Sequence, residues 1–138
     1  MNEVILSADD ALLRTTDEQV GVLLSYYEHS GEEPELKPGF VMRRCKSLQA
    51  FREVLRAGLS ARDILPKQQD SDVSAWQFFV DRFRGALHDE PLAVPLEEEK
   101  KLLDLCEELL EYDVPDREAL VAGRDATLEA IEALRSQR

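Results

Sequence analysis

The side chains best suited to metal ligation or nucleophilic chemistry are few: His29, His88, Cys45 and Cys106. A structural zinc site draws on four such ligands, usually in closely spaced pairs, and these four are scattered singly along the chain. A helical di-iron site repeats Glu-x-x-His, but Tyr26 and Gly85 stand three residues before the two histidines. His88-Asp89 is half of a metal-binding pair without the further histidines that would complete it. A cysteine nucleophile needs an activating base, and no CxxC, HExxH, GxSxG, GxGxxG or GxxxxGK[ST] pattern occurs. Carboxylates are abundant, but abundance without geometry marks no acid–base pair. The expectation is a chain with no catalytic residues, no bound metal and no cofactor. Its two thiols are expected free and buried, as in a reducing compartment. The two histidines fit the last turns of helices, where imidazolium favours the negative end of the helix dipole.

Charge is the stronger signal. The 138 residues carry 17 Lys+Arg against 29 Asp+Glu, a net of −12. Residues 1–36 hold nine acids and one base, residues 37–67 eight bases and two acids, and residues 68–138 eighteen acids and eight bases. A basic band between two acidic stretches admits two readings. In the first it lies against the acidic helices and offsets their mutual repulsion. In the second, Arg43, Arg44, Arg52 and Arg56 form a patch for phosphate or an acidic partner. Arginine suits bidentate oxyanion recognition, and Arg52 and Arg56, four apart, share a helix face. Free nucleic acid is not expected as a partner, because a −12 body is repelled by a phosphate backbone. The acidic counterpart is the run Glu97, Glu98, Glu99, Asp104, Glu107, Glu108, Glu111 and Asp113, which makes the outer face of one helix negative. Such a face either solubilises the chain or steers and holds a basic partner.

The elements that must position these residues read as helices. Thr16-Asp17-Glu18-Gln19 has the form of a capping box. Val20, Leu23, Leu24 and Tyr27 follow at helical spacing as far as Ser30-Gly31. A shorter helical piece capped by Ser7 precedes it, and Met1 to Leu6 is open to a strand. Residues 31–39 read as a surface loop. A second helix is expected over 47–57, with Leu48, Phe51, Val54 and Leu55 inward and Gly58 as its C-terminal cap, then one more turn carrying Ile64 and Leu65. A third, over 72–87, bears the stripe Val73, Trp76, Phe79, Val80, Phe83 and Leu87, a pattern of core packing. A fourth, over 96–112, turns Leu102, Leu103, Cys106, Leu109 and Leu110 inward. It places Glu97 to Glu99 in its first turn, at the positive end of the dipole. A fifth runs from Pro115 to about 135 with Leu120, Val121, Leu128, Ile131 and Leu134 as bulk. Its second stripe, Ala122, Ala126, Ala130 and Ala133, admits close approach of another helix, within the chain or in a homo-oligomer. Gly123 costs that helix about 1 kcal/mol relative to Ala.

These readings give an all-α fold, a single helical domain over 1–138 built as a bundle of about five helices. The 43% hydrophobic content excludes a disordered chain. No apolar run reaches the roughly 18 residues a membrane span needs. An N-terminus without a basic start or long apolar stretch predicts no secretory signal, hence a cytoplasmic location. The function these features predict is that of a small acidic helical protein-interaction module, such as an adaptor, inhibitor, immunity-type or regulatory factor. It would bind another macromolecule through its charged surface, with Phe40, Tyr26 and Tyr112 as apolar anchors and Phe40 on an exposed loop. Two alternatives remain open at this level. One is a phospholigand- or nucleotide-sensing domain using residues 37–67, and the other a metal-dependent or hydrolytic enzyme built around His29 or His88.

Overall fold

The computed structural model describes residues 6–30, 36–66, 80, 92–114 and 116–136. Among these residues lie four α-helices and no strand: α1 (Ala8–His29), α2 (Pro38–Ala61), α3 (Ala93–Leu109) and α4 (Arg117–Ser136). The fold is an all-helical bundle, as the periodicity requires. Among the described residues four helices stand, against about five expected over the whole chain. The expected aromatic helix over 72–87 lies outside the described residues except for Val80, and so does His88.

The two N-terminal pieces are one helix. Ser7 caps α1 by accepting from the Asp10 amide, and Asp9 and Asp10 occupy the first turn. The Ser7 hydroxyl bonded to Asp9 holds that carboxyl below its usual range. Thr16, expected as a cap, is buried in mid-helix, where its hydroxyl donates to the Leu12 carbonyl at 2.7 Å. Helix α2 likewise begins earlier than expected, at Pro38, whose missing amide hydrogen costs nothing at the first helical position. The stripe Phe40, Arg44, Leu48, Phe51, Leu55 and Leu59 is buried along its whole length. That stripe carries the helix past Gly58, which is not the cap. Closure comes instead from a Schellman turn: the Ile64 amide donates to the Leu59 carbonyl at 2.9 Å and Asp63 to Ser60 at 3.1 Å. Asp63 takes the left-handed conformation, φ 56°, that glycine usually fills there.

Helix α3 starts at Ala93 with Pro95 inside its first turn, so Glu97 to Glu99 fall in the second turn and do not serve the dipole as expected. Its last carbonyls are covered from outside the helix, where Arg117 Nη1 donates to the Leu110 oxygen at 2.7 Å. In α4, Leu120, Ile131 and Leu134 are buried, whereas Leu128, expected as core, is 41% exposed.

Each helix touches two neighbours, in the order α1, α2, α4, α3 around the bundle. Helices α1 and α2 run antiparallel: Arg62 beyond the end of α2 meets Asp9 and Asp10 at the start of α1. At the other end, Phe40 meets the ring of Tyr27 edge-on. Helices α2 and α4 are also antiparallel, with Arg44 against Thr127 and Phe51 against Gly123. Helices α2 and α3 therefore occupy diagonal corners although they are consecutive among the described elements.

Candidate functional site

Every helix contributes at least one polar group to the centre of the bundle. Arg44 and Glu99 are both buried and form a bidentate pair. Nε donates to Oε2 at 2.8 Å and Nη2 to Oε1 at 2.7 Å. The Tyr27 hydroxyl of α1 donates to Glu99 Oε2 at 3.1 Å. From α4, Thr127 Oγ1 accepts from Arg44 Nη2 at 3.1 Å and donates to the Gly123 carbonyl at 2.8 Å. Ser47 accepts from Arg44 Nη1 at 3.0 Å. Burying two charges is tolerable only with this degree of pairing, and here both carboxylate oxygens and all three guanidinium nitrogens have partners. Burial, with the Glu99 carboxylate beside it, pushes the Tyr27 phenol well above its ordinary range. Burial also drives the Cys106 thiol up to about 12 and raises Cys45. Both cysteines are free, and thiols held protonated in this way are poor nucleophiles.

A second buried carboxylate stands between α1 and α2. Asp17 is 1% exposed, with Oδ1 3.4 Å from Arg56 Nε and 3.7 Å from Arg52 Nε. Its Oδ2 and the Arg52 Nε have no hydrogen-bond partner. Gln19 of the expected capping box bridges instead to α3, donating to the carbonyl and the carboxylate of Glu98.

Four of the eight cations of the basic band thus meet carboxylates inside the chain. Arg44 lies on Glu99, Arg52 and Arg56 on Asp17, and Arg62 on Asp9 and Asp10. Of the four arginines considered for phosphate, only Arg43 is both exposed and, among the described residues, without an ion pair. It lies on a groove between α2 and α4, well separated from the Asp17 pair in helix register. The acidic run divides in the opposite sense. Glu98 is buried and Glu99 is the core partner of Arg44, while Glu97 and Glu98 both meet Lys101. Asp104, Glu107, Glu108, Glu111 and Asp113 are all exposed. They belong to no ion pair among the described residues. Tyr112, 37% exposed, lies within this ridge. The other two aromatic anchors are interior: Tyr26 and Phe40 are buried, Phe40 in the first turn of α2 and not on a loop.

Sequence periodicity overlooked the buried pair, although a signal was present. Arg44 sits in register within the stripe of Phe40, Leu48 and Phe51, and Glu99 within that of Pro95, Leu102 and Cys106. A charge on an apolar stripe of each of two helices is the signature of a partnered buried pair.

Among the described residues no group of three or more His, Cys, Asp and Glu side chains is placed to hold a metal ion. His29 closes α1, with Nδ1 2.7 Å from the Ser25 carbonyl. No helix there is long and apolar enough to cross a membrane. The fold and these surfaces define an α-helical bundle with an apolar core that encloses the Arg44–Glu99 pair, and with an acidic outer ridge. No family model, curated protein or solved structure matches the chain.

Proposed function

We propose that the protein is an acidic protein-interaction module that binds a basic macromolecular partner through the C-terminal half of α3 and the turn that follows it. One observation carries the reading: the cations near the bundle interior are matched to carboxylates, while Asp104, Glu107, Glu108, Glu111 and Asp113 are exposed and, among the described residues, unpaired. Concentrating acids toward the C-terminal end of a helix opposes its dipole, and local choices that lower stability gather at functional positions. Arg117 offsets part of that cost by covering the Leu110 carbonyl. Like charges in a row also raise the rate at which an oppositely charged surface is captured. Tyr112 supplies an aromatic anchor amid the acids, in the manner of an interface hot spot.

The test is a paired capture experiment. The wild-type chain and a variant carrying Asp104→Asn, Glu107→Gln, Glu108→Gln and Glu111→Gln are immobilised, and the bound proteins are identified by mass spectrometry. The expected result is at least one basic protein held by the wild type and lost from the variant. Identical sets on both surfaces would reject the reading.

A further inference from the structure

The α2–α4 interface opens at one end into a groove of about 270 Å³. Its apolar lining is Ala126, Ala130 and Ala133 of α4, with Phe40 of α2. The alanines are the stripe that leaves the space, because any larger side chain there would fill it. Lower on the same interface Gly123 brings α4 against the Phe51 ring, which holds the helices together below the opening. The polar lining comprises two opposite charges on opposite helices, Arg43 from α2 and Glu129 from α4, and the Ser47 hydroxyl. Arg43 and Glu129 are both exposed, and among the described residues neither forms an ion pair with the other or with any further side chain. The Arg43 guanidinium lies back over the first turn of α2, where a Cβ on Gly39 would stand in ordinary contact with Nη1 at 3.4 Å. The buried Arg44 forms part of the wall, but its charge is matched by Glu99 and adds no net charge to the groove.

We propose that this groove binds a small zwitterion with an apolar side chain, the chemistry of a free aliphatic α-amino acid. The carboxylate meets Arg43, the ammonium meets Glu129, and the side chain lies on the alanine floor against Phe40. A purely anionic ligand leaves Glu129 facing it with like charge, and a purely cationic one does the same at Arg43. An uncharged apolar ligand leaves both uncompensated. The volume falls just below the roughly 300–1,000 Å³ of pockets for drug-sized ligands, which suits an occupant of this small size. The assignment uses a different surface from the acidic ridge and stands independently of it.

The test is a titration of the 15N-labelled protein with L-leucine, followed by amide shifts, with N-acetyl-leucine and leucinamide as the arms that each lack one charge. Leucine is expected to move the amides of Ser47, Ala126, Ala130 and Ala133. Each derivative is expected to bind about tenfold more weakly, equivalent to about 1.4 kcal/mol. Arg43→Gln and Glu129→Gln, both at exposed positions, should each weaken leucine binding by a similar factor, and Ala126→Leu should abolish it with the remaining spectrum intact. Three ligands binding equally, shifts elsewhere in the protein, or no shifts at millimolar leucine would each overturn the proposal.

Discussion

Gly123 is the residue whose role sequence reading found hardest. Read along the chain, it only weakens a helix. In the bundle, a Cβ at that position would lie 2.6 Å from the Phe51 ring, closer than real atoms approach. Gly123→Ala therefore sets about 1 kcal/mol of helix propensity against overpacking of about 1–3 kcal/mol. We expect net destabilisation by chemical denaturation, relieved when Phe51→Leu is added. Arg44 makes the same point with charge. Arg44→Met leaves Glu99 buried and unpaired, and should cost about 3–5 kcal/mol. Replacing both partners, Arg44→Met with Glu99→Leu, should restore most of it, because the attraction between buried charges largely repays their lost hydration and little more. Denaturation midpoints of the two variants check this, and equal losses in both would contradict it. Tyr27 ties the centre to pH. Its folded pKa is raised above the unfolded value of about 10, so its stabilising contribution is intact below pH 10 and is lost as pH rises toward the folded value. Stability measured from pH 8 to 11 should fall at the alkaline end, and Tyr27→Phe should flatten that part of the curve.

At the scale of the elements, the class of structure was legible and the boundaries were not. Leucines and aromatics at helical spacing sufficed to read α1, the middle of α2, α3 and α4. The errors came from polar residues whose partners are distant in sequence. Thr16 and Gln19 look like a helix start because side chains that satisfy local amides and those that bridge helices are the same types; here Gln19 serves Glu98, 79 residues away. The helix expected over 47–57 begins at Pro38, and the adjacent charges of Arg43 and Arg44 interrupt the apolar spacing that would have revealed its first two turns. Gly58 looked like an end, yet α2 closes at Asp63 because Leu59 and Ile64 have apolar surface to bury beyond it. Asp63 in the left-handed region carries strain that glycine lacks. Asp63→Gly should therefore stabilise the protein by up to about 1 kcal/mol in thermal unfolding. A loss of stability would show that the Asp63 side chain makes a compensating contribution.

Across the whole molecule, the sequence made charge asymmetry visible without its allocation. A count gives −12 with a basic band in the middle, and no count reveals which cations meet which acids. The bundle settles that by juxtaposition: Arg62 beside the first turn of α1, Arg52 and Arg56 beside Asp17, Arg44 beside Glu99. These pairings depend on the antiparallel α1–α2 arrangement and, for Arg44 and Glu99, on α2 and α3 facing each other across the diagonal of the bundle. Both are tertiary facts. The same packing draws Glu98, Phe40 and Tyr26 inside and leaves the ridge from Asp104 to Asp113 at the surface. Proteins with large net charge gain solubility whatever their partners, so a functional ridge must be distinguished from diffuse acidity by position.

The most direct measurement is the dissociation constant of a captured basic partner as a function of salt, for three forms of the protein. These are the wild type, the Asp104/Glu107/Glu108/Glu111 neutralised variant, and a control with Asp116 beside α4 and Glu118, Asp125 and Glu132 of α4 neutralised instead. The account predicts wild-type binding that weakens steeply as added salt shortens the screening length from about 10 Å at 0.1 M to 3 Å at 1 M. It further predicts that the α3 variant binds weakly at all salt concentrations and that the α4 control stays close to wild type. Affinity independent of salt, or equal losses in the two variants, would contradict it.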